Sequence, residues 1–445
     1  MAEQGVTDPQ RHLSKGVAAH SYQFLLDEVV DSPTAAFAYA ASMRDGHAQS
    51  RELGQNDLSA TQRLLNCLSR RAGRDVAILV PTRGHGDTIT LGLISASNSK
   101  WWRMPSNDLT ELIAEDARTA DHRHQHQIAR RIWHELPEAL QKALAPTSPT
   151  SFEVLISGDP LWSLFPWELL RFGEGSMDYL GLHRALPRIG SILAPSLERT
   201  FAATNLGNGR RMAIVAPHTT GTKPLLGVEI EIEALESRIP EVGGELVEND
   251  TTGSAAHDGL MRRAIKASPD MLWYSGHGAI VANEEVLVLH AETPLGDGPR
   301  DKITHFGAYQ LSEIASRRGG GPLFDHASLV VLNSCMTGRV REHGGQREDL
   351  VEAFLKQGAG AVIATALPIF DSVGEALGRA MFSKSAIARK KLGDLVVEVR
   401  RQLANGVCAD IDRPTWGAWG MVHLHGNAFA AGPFHEYGGN KDEQI

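Results

Sequence analysis

Between Met212 and Leu367 short apolar runs alternate with amphipathic helical stretches, and this alternation limits the fold more than any other feature of the chain. The runs Met212-Ala-Ile-Val-Ala-Pro217, Gly244-Glu-Leu-Val247, Met271-Leu-Trp-Tyr-Ser275, Leu329-Val-Val-Leu-Asn333 and Ala361-Val-Ile-Ala-Thr-Ala-Leu367 have the length and composition of strands. Between the first two, Val228, Ile232, Leu235 and Ile239 recur at i, i+4, i+7 and i+11, which defines one apolar helix face. Further helices are predicted near 255–267, 309–317 and 347–357. Parallel strands need crossover connections and bury both faces, so the pattern predicts an α/β fold with a mostly parallel sheet flanked by helices. Reactive groups in such sheets gather beyond the carboxyl ends of the strands.

The flanking regions are less regular. Residues 1–75 read as a polar helical segment, with apolar positions Phe24, Leu25 and Val29 in one stretch and Leu58, Leu64, Leu65 and Leu68 in another. Near residue 75 the pattern changes to strand-like runs, Asp75-Val-Ala-Ile-Leu-Val-Pro81 and Ile89-Thr-Leu-Gly-Leu-Ile94. A helical stretch over 106–143 leads to the strand Phe152-Glu-Val-Leu-Ile156. A loop with Trp162 and Trp167 as packing anchors follows. Helices over 372–386 and 392–403 and a last strand within Trp416-Gly-Ala-Trp-Gly-Met-Val-His-Leu-His-Gly426 complete the body, and 431–445 is a polar, flexible tail.

Composition excludes several functions. The net charge is −9, from 44 basic and 53 acidic residues over 445 positions, and no basic stripe emerges, which argues against nucleic acid as a ligand. Three scattered cysteines, Cys67, Cys335 and Cys408, are too few for a disulfide framework or a thiolate metal site. The polar first 15 residues lack a signal-peptide pattern, and no apolar run approaches the roughly 18 residues of a membrane span, so a cytoplasmic location is expected.

Two of the strand-like runs stop at a reactive side chain. Met271-Leu-Trp-Tyr-Ser-Gly-His-Gly278 ends at His277, and Leu329-Val-Val-Leu-Asn-Ser-Cys335 ends at Cys335. A thiolate nucleophile needs a base within hydrogen-bond reach or a depressed pKa, and His277 is the candidate base if the two strands are neighbours. Alone, each has a plainer explanation, a small buried hydrophobe and a structural histidine. In matched contexts the pair points to a thiol protease, a chemistry that needs neither cofactor nor metal.

Tyr274-Ser-Gly-His-Gly278 and Leu332-Asn-Ser-Cys335, followed by Gly358-Ala-Gly-Ala-Val-Ile363 and Leu367-Pro-Ile-Phe-Asp371, resemble the CHAT peptidases, relatives of caspases, separases and gingipains. The similarity spans about residues 75–430, including Pro160-Leu-Trp-Ser-Leu-Phe-Pro-Trp-Glu-Leu-Leu170. It implies a caspase-like fold with a degenerate half over 76–205 and a catalytic half over 206–430. It further implies that Cys335 attacks the scissile carbonyl while His277 protonates the leaving amine. The oxyanion would be held by the N–H groups of Gly278 and Cys335.

The resemblance also implies a protein substrate, with a pore-forming gasdermin-like protein as one candidate, and an activating protein partner in a bacterial defence or regulated-death pathway. Asp371 has two readings: a carboxylate near the specificity pocket that pairs with a substrate Arg or Lys, or a helix N-cap. The chain has Leu367-Pro368 and Phe370-Asp371 where the family frequently has Trp-Pro and paired Asp. Basic Gly-rich loops at 317–321 and 338–347 flank the Cys335 strand and are either sites of self-cleavage or plain surface loops. His122 and His126 share a helix face, without the glutamate of a zinc-protease pattern. Cys67, among Leu64, Leu65 and Leu68, reads as core, and Cys408 lacks an obvious base. Rival functions are a caspase-fold signalling or scaffold module, and a small-molecule hydrolase, for which the Gly-x-Ser-x-Gly elbow is missing.

Overall fold

A computed structural model describes residues 32–45, 54–83, 88–105, 122–148, 151–157, 165–207, 210–217, 225–250, 259–281, 284–291, 303–335, 337–338, 342–343, 346–347, 349–366, 369, 371–406 and 418–434. The expected helix over 21–30, Trp162, Cys408 and most of the tail lie outside the described residues.

The first half opens with helices α1 (Pro33–Asp45) and α2 (Gln55–Ala72), followed by strands β1 (Val76–Arg83), β2 (Thr88–Ser95) and β3 (Ser99–Pro105) in an antiparallel meander. Strand β3 was not expected, because its charged alternation around two tryptophans does not read as an apolar run. The helical stretch expected over 106–143 holds α3 (His122–Glu135) and α4 (Glu138–Leu144), and its first part, 106–121, lies outside the described residues. Pro137 stands between them as the N-cap of α4, where its missing N–H breaks the ladder. Strand β4 (Glu153–Ile156) then pairs in parallel with β1. Helices α1 and α2 pack on this sheet, with Phe37, Ala41, Leu65 and Leu68 buried against Ile78 and Leu155.

Helix α5 (Ala194–Thr200) closes the first half, with Leu197 in the same core as α1 and α2, and the second half contains β5 (Arg211–Val215), α6 (Leu226–Glu241), β6 (Glu245–Asp250), α7 (Gly259–Lys266) and β7 (Met271–Ser275). A small antiparallel sheet of β8 (Gly278–Val281), β9 (Glu284–Ala291) and β10 (Ile303–Phe306) follows, then α8 (Ala308–Arg317) and β11 (Ser328–Asn333). After the short hairpin β12 (Glu342–His343) and β13 (Gln346–Arg347) come α9 (Leu350–Lys356), β14 (Ala359–Thr365), α10 (Asp371–Met381), α11 (Lys384–Ile387), α12 (Leu392–Ala404) and β15 (Val422–Gly426).

These strands order as β15-β14-β11-β7-β5-β6, parallel except for β15. Both faces of the central strands β5, β7, β11 and β14 are buried, as their near-continuous apolar runs require. On one face Met212, Ile214, Met271, Trp273, Leu329 and Val331 meet α6, α10 and α12. On the other, Ala213, Val215, Leu272, Tyr274, Val330 and Leu332 meet α7, α8 and α9.

Arg188 joins the two sheets. It bridges β4 on one side and β15 on the other, through Ile189 N–H to Ile156 O (2.9 Å) and Arg188 N–H to Leu424 O (2.8 Å). The four-stranded sheet β3-β2-β1-β4 and the six-stranded sheet thus continue into each other. At this seam the fully buried Glu168 carboxylate accepts from Arg188 (2.5 and 2.9 Å) and from Arg400 of α12 (3.0 Å). Arg188 also donates to His423 Nε2 at 3.0 Å. Burial and the two guanidiniums push His423 well below the ordinary imidazole range, which keeps it a neutral acceptor. Burial lowers Arg400 to about 10, opposed by Glu168, and its remaining N–H groups donate to the carbonyls of Arg184, Ala185 and Val422.

Candidate active site

Strands β7 and β11 are adjacent and parallel, with Ser275 opposite Asn333. His277 and Cys335 each lie two residues beyond that pair, so the sheet brings the two sequence candidates to the same level at the carboxyl ends of neighbouring strands. Gly276 N–H donates to Asn333 O (3.3 Å), tying the two turns together.

The backbone of His277 is fixed from two directions. Its carbonyl accepts from Val288 N–H (2.9 Å) and lies 2.9 Å from the Tyr274 hydroxyl, which also reaches Val288 O at 2.8 Å. Tyr274 is fully buried, and burial raises its phenol above the ordinary range, so it serves as a neutral donor. The antiparallel ladder alternates between hydrogen-bonded and non-hydrogen-bonded pairs. Since His277 bonds Val288, the next pair, Gly278 with Leu287, directs the Gly278 N–H away from β9 and toward the open edge of β8.

That edge abuts the cysteine turn. A Cβ on Gly278 would stand 2.0 Å from the Cys335 carbonyl oxygen and 3.2 Å from Ser334 Oγ. Only glycine admits this approach. The turn itself is braced at Ser334, whose carbonyl accepts from Thr337 Oγ1 (3.2 Å) and from Thr365 Oγ1, while Gly338 N–H donates to Thr365 O (2.8 Å). Cys335 is half-buried, and its thiol donates to Ile369 O at 3.5 Å, in the connection from β14 to α10.

Asp371 is the first residue of α10. One carboxylate oxygen accepts from Gly227 N–H (2.8 Å) at the start of α6, so the N–H it satisfies belongs to a neighbouring helix as well as lying at a helix start. Cys67 is a correction to the sequence expectation. The buried stripe of α2 runs through Leu58, Thr61, Leu65, Leu68 and Ala72, which turns Cys67 outward to solvent beside Arg70 (3.3 Å). His122 and His126 fall in α3, but their side chains lie outside the described residues.

A residue not anticipated lies beneath the site. Glu231 of α6 is 1% exposed, and its carboxylate accepts from Trp273 Nε1 (2.6 Å), Ser275 Oγ (2.7 Å) and Asn333 Nδ2 (2.8 Å). In sequence it is one of the alternating glutamates Glu229, Glu231 and Glu233, a pattern that does not single it out. Its neighbour Ile232 sits on the predicted apolar face, and that adjacency was the available signal.

The fold is shared with separase. The chain aligns with the Saccharomyces cerevisiae separase in its complex with securin at a TM-score of 0.53 and 10% identity, over 87% of this chain and 31% of the separase chain. The chain therefore spans less than a third of that relative's length. The Arg-specific cysteine proteinase gingipain R aligns at a TM-score of 0.41 and 10% identity, over 66% of this chain and 67% of that one. The complex of Porphyromonas gingivalis RgpB pro- and mature domains aligns at 0.40 and 10%, over 66% and 68%. No curated protein matches the sequence. The architecture is that of the caspase-like α/β class. Within it, the chain belongs to the CHAT domain family, whose family model matches residues 126–427, more than half of its length. No described helix is long and apolar enough to cross a membrane.

Proposed function

We propose that this chain is a cysteine endopeptidase with Cys335 as nucleophile and His277 as general acid and base. His277 takes the thiol proton as Sγ forms a bond to the scissile carbonyl carbon, then delivers that proton to the departing amine as the C–N bond breaks. Water then hydrolyses the thioester and regenerates the thiol. The N–H groups of Gly278 and Cys335 are the oxyanion donors. Such a donor typically contributes about 10²–10³ in turnover.

The observation that carries this proposal is the common register of the two turns, two residues past the Ser275–Asn333 pair, with Gly278 packed against the Cys335 carbonyl. A peptidyl chloromethyl ketone with Arg at P1 tests it. Alkylation at Cys335 in the wild type and its loss in His277→Ala are expected; equal labelling of both proteins would sink the dyad.

Asp371 is proposed to pair with a basic P1 side chain. Its support is position: it lies two residues after Ile369, whose carbonyl meets the thiol. A protein substrate and a protein partner are part of the proposal, and the securin complex of the separase relative supports the latter. Self-processing within 317–321 or 338–347 is checked by intact mass, comparing wild type with Cys335→Ala.

A further inference from the structure

A helix that packs its inner face on a sheet has every reason to place an apolar residue there, and α6 does so with Ile232, Leu235 and Ile239. Glu231 breaks the rule. All three of its donors belong to β7 and β11, and two of them, Ser275 and Asn333, are the last residues of those strands. Each stands two residues before a member of the proposed dyad. The second amide proton of Asn333 donates to Gly374 O (2.9 Å) on α10, the helix that begins two residues after Ile369.

Helix α10 is shaped for this arrangement. Gly378 lies so close that a Cβ there would stand 2.6 Å from Glu231 Cγ. A glycine inside a helix is less favourable than alanine, so the close approach needs a return elsewhere. Replacing buried polar groups by apolar ones of similar volume is often neutral or stabilising, so stability alone gives no reason for a carboxylate here.

We infer that Glu231 is a positioning residue of the active site: by accepting from the ends of β7 and β11 together, it fixes the two turns that present His277 and Cys335. This rests on the Cys335–His277 assignment proposed above. Glu231 touches neither substrate nor thiol and acts through Ser275 and Asn333.

Burial raises the Glu231 carboxyl to about 8, with Asp371 adding to the rise and the three donors opposing it. Two donors converge on Oε1, so when the carboxyl takes up a proton it goes on Oε2, and the Ser275 hydroxyl, which donates to the carboxylate, then accepts instead. Glutamine reproduces that arrangement, with its carbonyl toward Trp273 and Asn333 and its amide donating to Ser275. Leucine leaves the Trp273 and Asn333 donors without their acceptor and the Ser275 hydroxyl without its partner.

The test measures the rate at which iodoacetamide alkylates Cys335 in the full chain, read by mass spectrometry so that Cys67 and Cys408 are counted separately, beside a thermal melt. His277→Ala slows the reaction if the dyad is correct. Glu231→Leu slows it about 10-fold or more, the order expected when a dyad is misplaced, while Glu231→Gln stays within about 3-fold of wild type. A merely structural Glu231 would lower the melting temperature in Glu231→Leu without slowing alkylation of the folded fraction. That result, with His277→Ala slowed, overturns the inference and leaves the dyad standing; an unslowed His277→Ala removes both. If Glu231→Leu does not fold, Ser275→Ala decides, since it deletes one hydroxyl and a wild-type alkylation rate in it refutes the positioning role.

Discussion

Gly278→Ala is the substitution whose consequence follows most directly from distance. The added methyl carbon would stand 2.0 Å from the Cys335 carbonyl oxygen, against the roughly 3.3 Å at which carbon and oxygen atoms touch, so about 1.3 Å must be found. Neither side yields cheaply. The cysteine turn is held through Ser334 O by Thr337 and Thr365, and the glycine is held by the β8–β9 ladder and by Tyr274 beneath His277. Overpacking of this kind costs about 1–3 kcal/mol of stability. A shift of about 1 Å at a reacting group costs about 10²-fold in rate, a larger and more specific effect. The assay is urea unfolding beside Cys335 alkylation. Gly321→Ala is the matched control, because its methyl meets nothing within 4 Å. A Gly278→Ala protein with wild-type stability and wild-type thiol reactivity would refute the close packing of β8 on the cysteine turn.

Three further outcomes are expected. The folded Glu231 carboxyl is raised from 4.5 to about 8, so the native state binds the extra proton between those values and stability falls as pH rises through that window. Urea denaturation at pH 5 and pH 9 should show wild type losing stability relative to Glu231→Gln, and parallel pH dependence in the two proteins contradicts this. Glu168→Ala leaves the Arg188 and Arg400 guanidiniums buried without their carboxylate and should cost about 3–5 kcal/mol in urea, with a loss under about 1 kcal/mol counting against the seam. Asp371→Ala should abolish a basic P1 preference in a peptide assay, and an unchanged preference removes Asp371 from the pocket.

Much of the second half was legible in the sequence because its central parallel strands β5, β7, β11 and β14 are buried on both faces and read as apolar runs. Met271–Ser275 and Leu329–Asn333 announced themselves this way, and their adjacency then placed His277 and Cys335 at one level. The seam was not legible, since Arg188 contributes a single bridging residue rather than a strand-length pattern. Glu231 was hidden among alternating glutamates, where an internal carboxylate looks the same as a solvated one until the strands supply its donors. Cys67 was misplaced because two adjacent leucines suggest a core, while the helical angle between positions 65, 67 and 68 turns the cysteine outward.

The dyad is tested most directly by incubating the full chain with a peptide library, wild type beside Cys335→Ser, and reading cleavage by mass spectrometry. Cleavage at defined bonds by the wild type and none by Cys335→Ser is the expected result. The same bonds cut at the same rate by both proteins would contradict it.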